Sequence, residues 1–263
     1  MPTGLIDVAR DGHIATVTIN RPDKRNAITN EMMEDIESIA KSFAKDEQTR
    51  SIIVRAEGRD FSIGADLSQS RFQGDPQSIL MRRRGLELGG QMMRALQEIH
   101  QPTICAVQGI ATGGGACVAT ACDFRIGAND ARIGYGEVKI GINLMWNAVP
   151  VCVHLVGPAR AKRMIMSGKF FDATTLLGWG FLDEVVPREN LHDAARAMAE
   201  EYAALPPIAV QMIKRSINRV AGALDQAVMH ADADQWLLAA HSQDFREAVS
   251  AFFEKRKPTY TGN

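Results

Sequence analysis

The sequence predicts an α/β core followed by a helical segment. Short apolar runs rich in β-branched residues alternate with stretches of helical period, which is the pattern of a sheet whose strands are joined by helices. Residues 201–263 carry helical patterns alone. The chain has 263 residues, of which 46% are hydrophobic, enough for a substantial buried core. We therefore assign residues 1–200 to the core that holds the functional site and residues 201–263 to a helical segment.

The strand predictions rest on alternation and on short apolar runs. Residues 14–20 alternate between apolar and polar side chains and end at Arg21, Pro22 and Asp23, which favour a turn. Further strands are predicted over residues 51–55, 103–108, 123–127 and 132–134.

Apolar residues at helical spacing predict the helices. In residues 30–45 they recur at Met33, Ile36 and Phe43, which share one face of a helix. Further helices are predicted over residues 81–100, 113–121, 191–205, 208–221 and 224–254, the last with a break near His241.

Composition and charge exclude several function classes. The formal net charge of −1 gives no electrostatic reason to expect nucleic acid or an anionic membrane surface as a partner. Residues 1–10 lack the layout of a signal peptide, and no apolar run approaches the roughly 18 residues of a membrane span. The cysteines form no metal-binding spacing, so we expect reduced thiols in a cytoplasmic protein. They are Cys105, Cys117, Cys122 and Cys152.

Two glycine-rich segments are the most informative feature of the chain. FSIGADL (residues 61–67) and GIATGGGAC (residues 109–117) each follow a predicted strand and precede a stretch that can start a helix. Glycine at such a strand exit permits positive φ and lets a ligand approach bare N–H groups. Two exits of this kind could aim two N–H donors at one oxygen, which is the geometry of an oxyanion hole. The alternative interpretation is a pair of tight turns without chemistry.

Four ordered segments resemble the enoyl-CoA hydratase/isomerase, or crotonase, superfamily. They are NRPDKRNAIT (residues 20–29), FSIGADL (residues 61–67), GGGACVATACD (residues 113–123) and FFEKRKP (residues 252–258). The resemblance implies a core of repeated ββα turns in a spiral, followed by a helical segment that builds trimers or hexamers. It also implies an acyl-CoA thioester as substrate. No separate cofactor or metal is expected, because coenzyme A is part of the substrate.

The same resemblance assigns catalytic roles. The N–H groups of Ala65 and Gly114 would hold the thioester carbonyl, and Glu137 would move the proton on the carbon next to it. A carboxylate suffices as base there, because two donors on the enolate oxygen make that proton more acidic. Hydratases of this family carry a second Glu where this chain has Cys117. A thiol is a poor acceptor and a weak acid, so Cys117 either fills space or has a chemical role that differs from that of Glu.

Further positions match the parts of the family that bind the CoA thioester. They are Lys24, Arg25, Ala27, Ala65, Asp66, Leu67, Gly114, Met145, Trp146, Phe252 and Lys255. Bulky Met145 and Trp146 stand where the family often has small residues, close to where a hydratase holds its water. The basic run around Lys255 could equally be a solvated helix end.

Three functions remain open from the sequence. With a single carboxylate, the easiest reaction is proton transfer through an enolate, such as migration of a double bond in an enoyl-CoA. Hydration or dehydration is the alternative and the usual label of the family. The third is a CoA-thioester binding protein that has lost its chemistry, although Glu137 would then have no purpose. No motif of a nucleotide hydrolase, dinucleotide-dependent dehydrogenase, serine hydrolase or zinc peptidase is present.

Overall fold

A computed structural model describes residues 3–67 and 78–263, and these residues form nine strands in two sheets. In the large sheet the order is β1-β2-β3-β4-β6-β9, and in the small sheet it is β5-β7-β8. The strands are β1 (Ile6–Asp11), β2 (Ile14–Ile19), β3 (Ser51–Ala56), β4 (Thr103–Val107), β5 (Ile110–Thr112), β6 (Phe124–Ala128), β7 (Arg132–Gly134), β8 (Phe171–Asp172) and β9 (Glu184–Val186).

Eleven α-helices are found in the same part of the chain. They are α1 (Asn30–Ser42), α2 (Ile79–Gly85), α3 (Leu88–Gln97), α4 (Gly114–Ala121), α5 (Ala148–Ser167), α6 (Ala173–Trp179), α7 (Leu191–Ala203), α8 (Pro207–Ala221), α9 (Gln226–Met229), α10 (Asp232–His241) and α11 (Gln243–Glu254). None of them is long and apolar enough to cross a membrane.

In the middle of the chain, successive strands alternate between the two sheets. β4 and β6 are parallel neighbours in the large sheet, and β5 and β7, which follow them directly, are parallel neighbours in the small sheet. Helix α4 connects β5 to β6. From β4 to β7, each turn of the chain therefore adds one strand to each sheet. This confirms the predicted α/β class and the ββα spiral implied by the resemblance.

Both faces of the large sheet are covered. On one face Ile53, Ile104 and Ile126 pack against α7 through Ala195 and Ala199, all buried. On the other face the alternate residues of the strands belong to the main core, together with α1, α3 and α4. A parallel sheet buried on both faces shows nearly continuous apolar runs, which is why the sequence predicts β3, β4 and β6. The edge strands β1 and β9 were not predicted.

The structure corrects two helix predictions and shows two helices, α5 and α6, that the sequence pattern did not predict. Residues 81–100 form two helices, α2 and α3, and residues 224–254 form three, α9, α10 and α11. Helix α5 is the longer of the two unpredicted helices. It contains Pro150 in its first turn, and Gly157 and Pro158 form a kink where the φ of Gly157 is 77°. These residues disfavour a helix locally, and packing of its apolar side chains overrides that preference.

Candidate active site

Two backbone turns from the glycine-rich segments lie in contact. The φ of Gly64 is 93° and that of Gly113 is 52°, both in the left-handed region that favours glycine. A Cβ atom added at Gly64 would lie 2.9 Å from the carbonyl oxygen of Thr112 and 3.2 Å from the nitrogen of Gly114. The approach therefore requires glycine at position 64 for space as well as for conformation.

Hydrogen bonds on both sides hold the first turn in place. The N–H of Ile28 donates to the carbonyl of Gly64 at 2.8 Å, and the N–H of Asp66 donates to the carbonyl of Ile28 at 2.8 Å. The N–H of Ser62 donates to the carbonyl of Ile110 in β5 at 3.0 Å. The segment of residues 62–66 is thus fixed between the chain at residue 28 and the small sheet.

Two N–H groups in these turns have no partner in the part of the chain that the structure describes. Across residues 3–67 and 78–263, the N–H groups of Ala65 and Gly114 donate to no other group. Their neighbours are satisfied: Gly64 donates to Ser62 Oγ at 3.1 Å, and Gly113 donates to the carbonyl of Gly134 at 3.3 Å. Gly114 is also the first residue of α4, where the helix dipole favours negative charge. Two available donors beside each other suit an anionic oxygen.

The small sheet brings Glu137 to the second turn. After β7 comes Tyr135, which is buried and shares a 2.6 Å hydrogen bond between its hydroxyl and that of Thr120 in α4. Glu137 follows and begins a single 3-10 turn. A Cβ added at Gly113 would lie 3.2 Å from Glu137 Oε1. The carboxylate therefore faces the same small region as the two unpartnered N–H groups.

Burial sets the acidity of Glu137. Its Oε2 atom is buried and has no hydrogen-bond partner among the residues that the structure describes. Burial raises the pKa of Glu137 from its ordinary value of 4.5 to about 7, against a smaller opposite effect from a backbone hydrogen bond. At neutral pH such a group is present both as a base and as an acid, which suits it to general acid–base catalysis.

Cys117 lies on α4, three residues beyond Gly114, and is 1% exposed. Burial, and then the charge of Glu137, raise the pKa of the Cys117 thiol well above its ordinary range. The group therefore stays protonated near neutral pH and does not provide a second base beside Glu137. This favours the interpretation that Cys117 fills space.

The indole of Trp146 is a wedge between α3 and α4. A methyl group added at Gly89 in α3 would overlap the five-membered part of the indole, and one added at Gly114 would overlap its six-membered ring. Trp146 is buried, and the neighbouring Met145 is half-buried against the main core. The wedge thus packs directly on the residue that carries one of the unpartnered N–H groups.

Helix α10 supports the backbone that carries this wedge. The φ of Trp146 is 63° and that of Asn147 is 59°, a conformation that costs a non-glycine residue about 1 kcal/mol. The N–H of Asn147 donates to Asp232 Oδ2 at 2.8 Å, and its side-chain amide donates to the carbonyl of Gly90 at 3.2 Å. These contacts hold an otherwise unfavourable pair of residues in position.

Lys24, Arg25 and Ala27, which are predicted to bind coenzyme A, lie in the connection between β2 and α1. Lys24 is exposed, whereas Ala27 is buried. The Nε atom of Arg25 donates to Asp60 Oδ2 at 2.8 Å, and Asp60 Oδ1 accepts from the N–H of Ile110 at 2.9 Å. Arg25 therefore ties this loop to β5, while half of its side chain stays exposed.

Asp66 and Leu67 follow the first turn and have different surroundings. Asp66 pairs with Arg21 through a 2.6 Å contact between Oδ2 and Nη1. Leu67 is exposed. Asp66 thus has a structural partner inside the chain, in addition to its predicted place in the substrate site.

Phe252 and Lys255 lie apart from this group. Both are exposed at the end of α11, where Phe252 packs edge to face on Phe253. Within the described part of the chain, no hydrogen bond or ring contact links them to the turns at Ala65 and Gly114. Their contact with coenzyme A stays a prediction of the resemblance.

Sequence analysis missed several residues that shape the site. Paired glycines inside a predicted helix, at Gly89 and Gly90, were a signal for close packing that could have been used. Asn147 and Asp232 carried no local signal, because their contact joins segments 85 residues apart. No group of three or more His, Cys, Asp or Glu side chains suited to a metal ion occurs in residues 3–67 and 78–263.

The chain matches the family model described as enoyl-CoA hydratase/isomerase over residues 9–263. It is 30% identical to the short-chain-enoyl-CoA hydratase of Clostridium acetobutylicum over 249 residues, covering 94% of each chain. It is 29% identical to the 1,2-epoxyphenylacetyl-CoA isomerase of Escherichia coli over 249 residues, covering 95% of each. A solved enoyl-CoA hydratase/isomerase from Pseudoalteromonas atlantica superposes with a TM-score of 0.87 at 26% identity, covering 98% of this chain and 100% of that one.

The packing of Trp146 yields a prediction about Gly89. We expect Gly89→Ala to lower the free energy of unfolding by about 1–3 kcal/mol, because the new methyl group overlaps the indole. The same change in a Trp146→Ala background should cost much less. Gly85→Ala in α2, where a methyl group meets open space, is the control and should be neutral or slightly stabilising. Denaturant unfolding measures all four variants, and an equal cost of Gly89→Ala in both backgrounds would contradict the contact.

Proposed function

The chain belongs to the enoyl-CoA hydratase/isomerase family, and on that premise we propose that it moves a double bond within an enoyl-CoA thioester. In this proposal the N–H groups of Ala65 and Gly114 form the oxyanion hole. Glu137 is the single acid/base. The observation that carries the proposal is the buried carboxyl of Glu137, which has a pKa near neutrality, together with a thiol, Cys117, at the position where hydratases of the family carry a second Glu.

The proposed reaction needs one group to remove a proton and return it. The Glu137 carboxylate takes a proton from the carbon next to the thioester carbonyl, and the electron pair moves into an enolate whose oxygen is held by the two N–H groups. The enolate is conjugated with the double bond of a 3-enoyl chain. The carboxylic acid of Glu137 then delivers the proton to the far carbon of that system, which gives the 2-enoyl product without adding or losing water.

Hydration is the second candidate, because the C. acetobutylicum relative is named as a hydratase. A hydratase with two carboxylates can hold and activate a water between them. Here the second position is Cys117, a buried thiol whose raised pKa keeps it protonated. Hydration would therefore have to proceed with Glu137 alone. This difference favours isomerisation over hydration, and an inactive binding protein would have no need for the buried acid at Glu137.

Product analysis distinguishes the candidates. The purified protein is incubated with matched 2-enoyl- and 3-enoyl-CoA substrates. The products are separated by chromatography, and their masses are measured by mass spectrometry. Isomerisation leaves the mass of the acyl-CoA unchanged and alters its chromatographic retention time, whereas hydration adds the mass of one water to the acyl-CoA. Efficient water addition without double-bond migration would overturn the proposed reaction and favour the hydratase alternative.

Glu137→Gln should lower turnover by at least about 10²-fold while binding of acyl-CoA changes little, because the amide keeps the shape but cannot take a proton. Glu189→Gln, at an exposed carboxylate, is the matched control and should leave turnover unchanged. Steady-state kinetics and calorimetric binding separate the two effects. Near-normal turnover of the Glu137 variant would remove this residue from the mechanism.

The pH profile should report the raised pKa of Glu137. The base must be ionised in the free enzyme, so kcat/KM for 3-enoyl-CoA is expected to fall about tenfold per pH unit below about pH 7 and to level off above it. A glutamate of ordinary pKa would keep kcat/KM flat well below pH 6. A profile without a change between pH 5.5 and 8 would contradict burial of the ionising group.

We further propose that the chain forms a homo-oligomer through α8. Lys214 and Asn218 connect α8 to the rest of the chain by donating to the carbonyls of Gln101 and Gln97, at 2.8 and 3.3 Å. Another side of the helix carries exposed apolar residues at helical spacing, and Leu224 extends that row. This stripe consists of Ile213, Ile217, Val220 and Leu224. A second copy of the chain would cover it, as the trimer or hexamer expected from the sequence requires.

Ile217→Glu should therefore dissociate the oligomer, because a charge would be buried in an apolar interface. Arg215→Glu, on a different side of α8, is the control for adding a negative charge and should leave the assembly intact. Sedimentation velocity at micromolar concentration measures both variants. A parent protein that sediments as a monomer would contradict the proposed interface.

A further inference from the structure

The position of the Trp146 wedge bears on which acyl groups the site admits. The six-membered ring of Trp146 lies against Gly114, whose N–H is proposed to hold the thioester oxygen, and the rest of the indole reaches Gly89 in α3. Glycine at both positions leaves a slot between α3 and α4, and the indole fills it. In the proposed site, an acyl chain that extends from the thioester carbonyl toward this slot would meet the indole.

Hydrogen bonds to the neighbouring residues, as well as packing, hold Trp146 in place. Asp232 Oδ2 accepts the N–H of Asn147 at 2.8 Å, and the carbonyl of Asp232 accepts from the side-chain amide of Asn143 at 3.3 Å. One residue of α10 therefore contacts the loop of residues 143–147 at both of its ends. Because Trp146 and Asn147 both have left-handed backbone conformations, they need such fixed partners to stay in place.

We propose that Trp146 is the specificity-determining residue that limits this enzyme to short acyl chains, and that Asp232 is the positioning residue that keeps the wedge closed. The inference rests on the proposed acyl-CoA site, and it concerns the length of the acyl group rather than the reaction. It assigns the helical segment after residue 201 a part in substrate selection. That part is distinct from assembly, because Asp232 acts on the loop of its own chain.

The first test measures binding without turnover. Calorimetry with butanoyl-, octanoyl- and dodecanoyl-CoA, which are saturated and cannot isomerise, gives the ratio of short-chain to long-chain affinity. We expect the parent to bind butanoyl-CoA at least tenfold more tightly than dodecanoyl-CoA. Trp146→Ala should reverse this preference, because each methylene that enters the vacated slot tightens binding by about fourfold. Trp146→Phe keeps a smaller ring and should give an intermediate ratio.

The second test addresses Asp232 through the same ratio. Asp232→Ala removes the acceptor for the N–H of Asn147 and should shift the ratio toward long chains. Asp232→Asn keeps an acceptor oxygen and should restore the parent's ratio, which a loss of general stability would not do. Asp234→Ala, on the same helix, loses a pairing with Arg83 and is the matched control that should leave the ratio unchanged.

The outcomes separate this inference from the proposed reaction. A parent that binds dodecanoyl-CoA as tightly as butanoyl-CoA, or Trp146 variants that both keep the parent's ratio, would overturn the inference while isomerisation could stand. Chain-length selectivity that Trp146→Ala relaxes, in a protein that does not isomerise, would support the inference and overturn the reaction. A parent that binds no acyl-CoA overturns both.

Discussion

The close approach of two backbone turns is the constraint on which the rest of the site depends. Gly64 lies against the carbonyl of Thr112 and the nitrogen of Gly114, at distances that leave no room for a side chain. The turns come from two different repeats of the spiral, and the parallel pairing of β5 with β7 brings Glu137 to the same place. A single substitution at Gly64 would separate the two N–H groups and move Gly113 relative to the carboxylate. The placement of the two N–H groups thus depends on backbone geometry more than on the identity of side chains.

A buried carboxyl with one oxygen unpaired among the described residues is a cost to stability that the fold carries at Glu137. Glu137 is neutral more often than a surface glutamate would be at neutral pH, because burial disfavours its charged form. Contacts of the residues on either side of Glu137 hold it in this buried position. Tyr135 is fixed to α4 by its hydroxyl, and Gly141 ends the 3-10 turn in close contact with Phe245 of α11. Unfavourable groups that persist in this way are typical of catalytic sites.

The apolar side chains of the C-terminal helices fall into two groups, one buried within the chain and one exposed. Trp236, Leu237 and Phe245 are buried within the chain. Leu224, Val228 and Leu238 are exposed, and so is a row of apolar residues along α8.

The sequence by itself determined the α/β class and the two glycine turns, and its resemblance to a known family indicated Glu137 as the candidate acid. The class and the turns depend on local chemistry, since positive φ demands glycine and buried strands demand apolar runs. Only the tertiary structure decided the pKa of Glu137, the protonated state of Cys117 and the wedge of Trp146 between Gly89 and Gly114. Each of these results from segments that lie far apart in the chain and meet through packing. Burial, electrostatic environment and shape depend on contacts between segments that are distant in the chain, so no local pattern of residues encodes them.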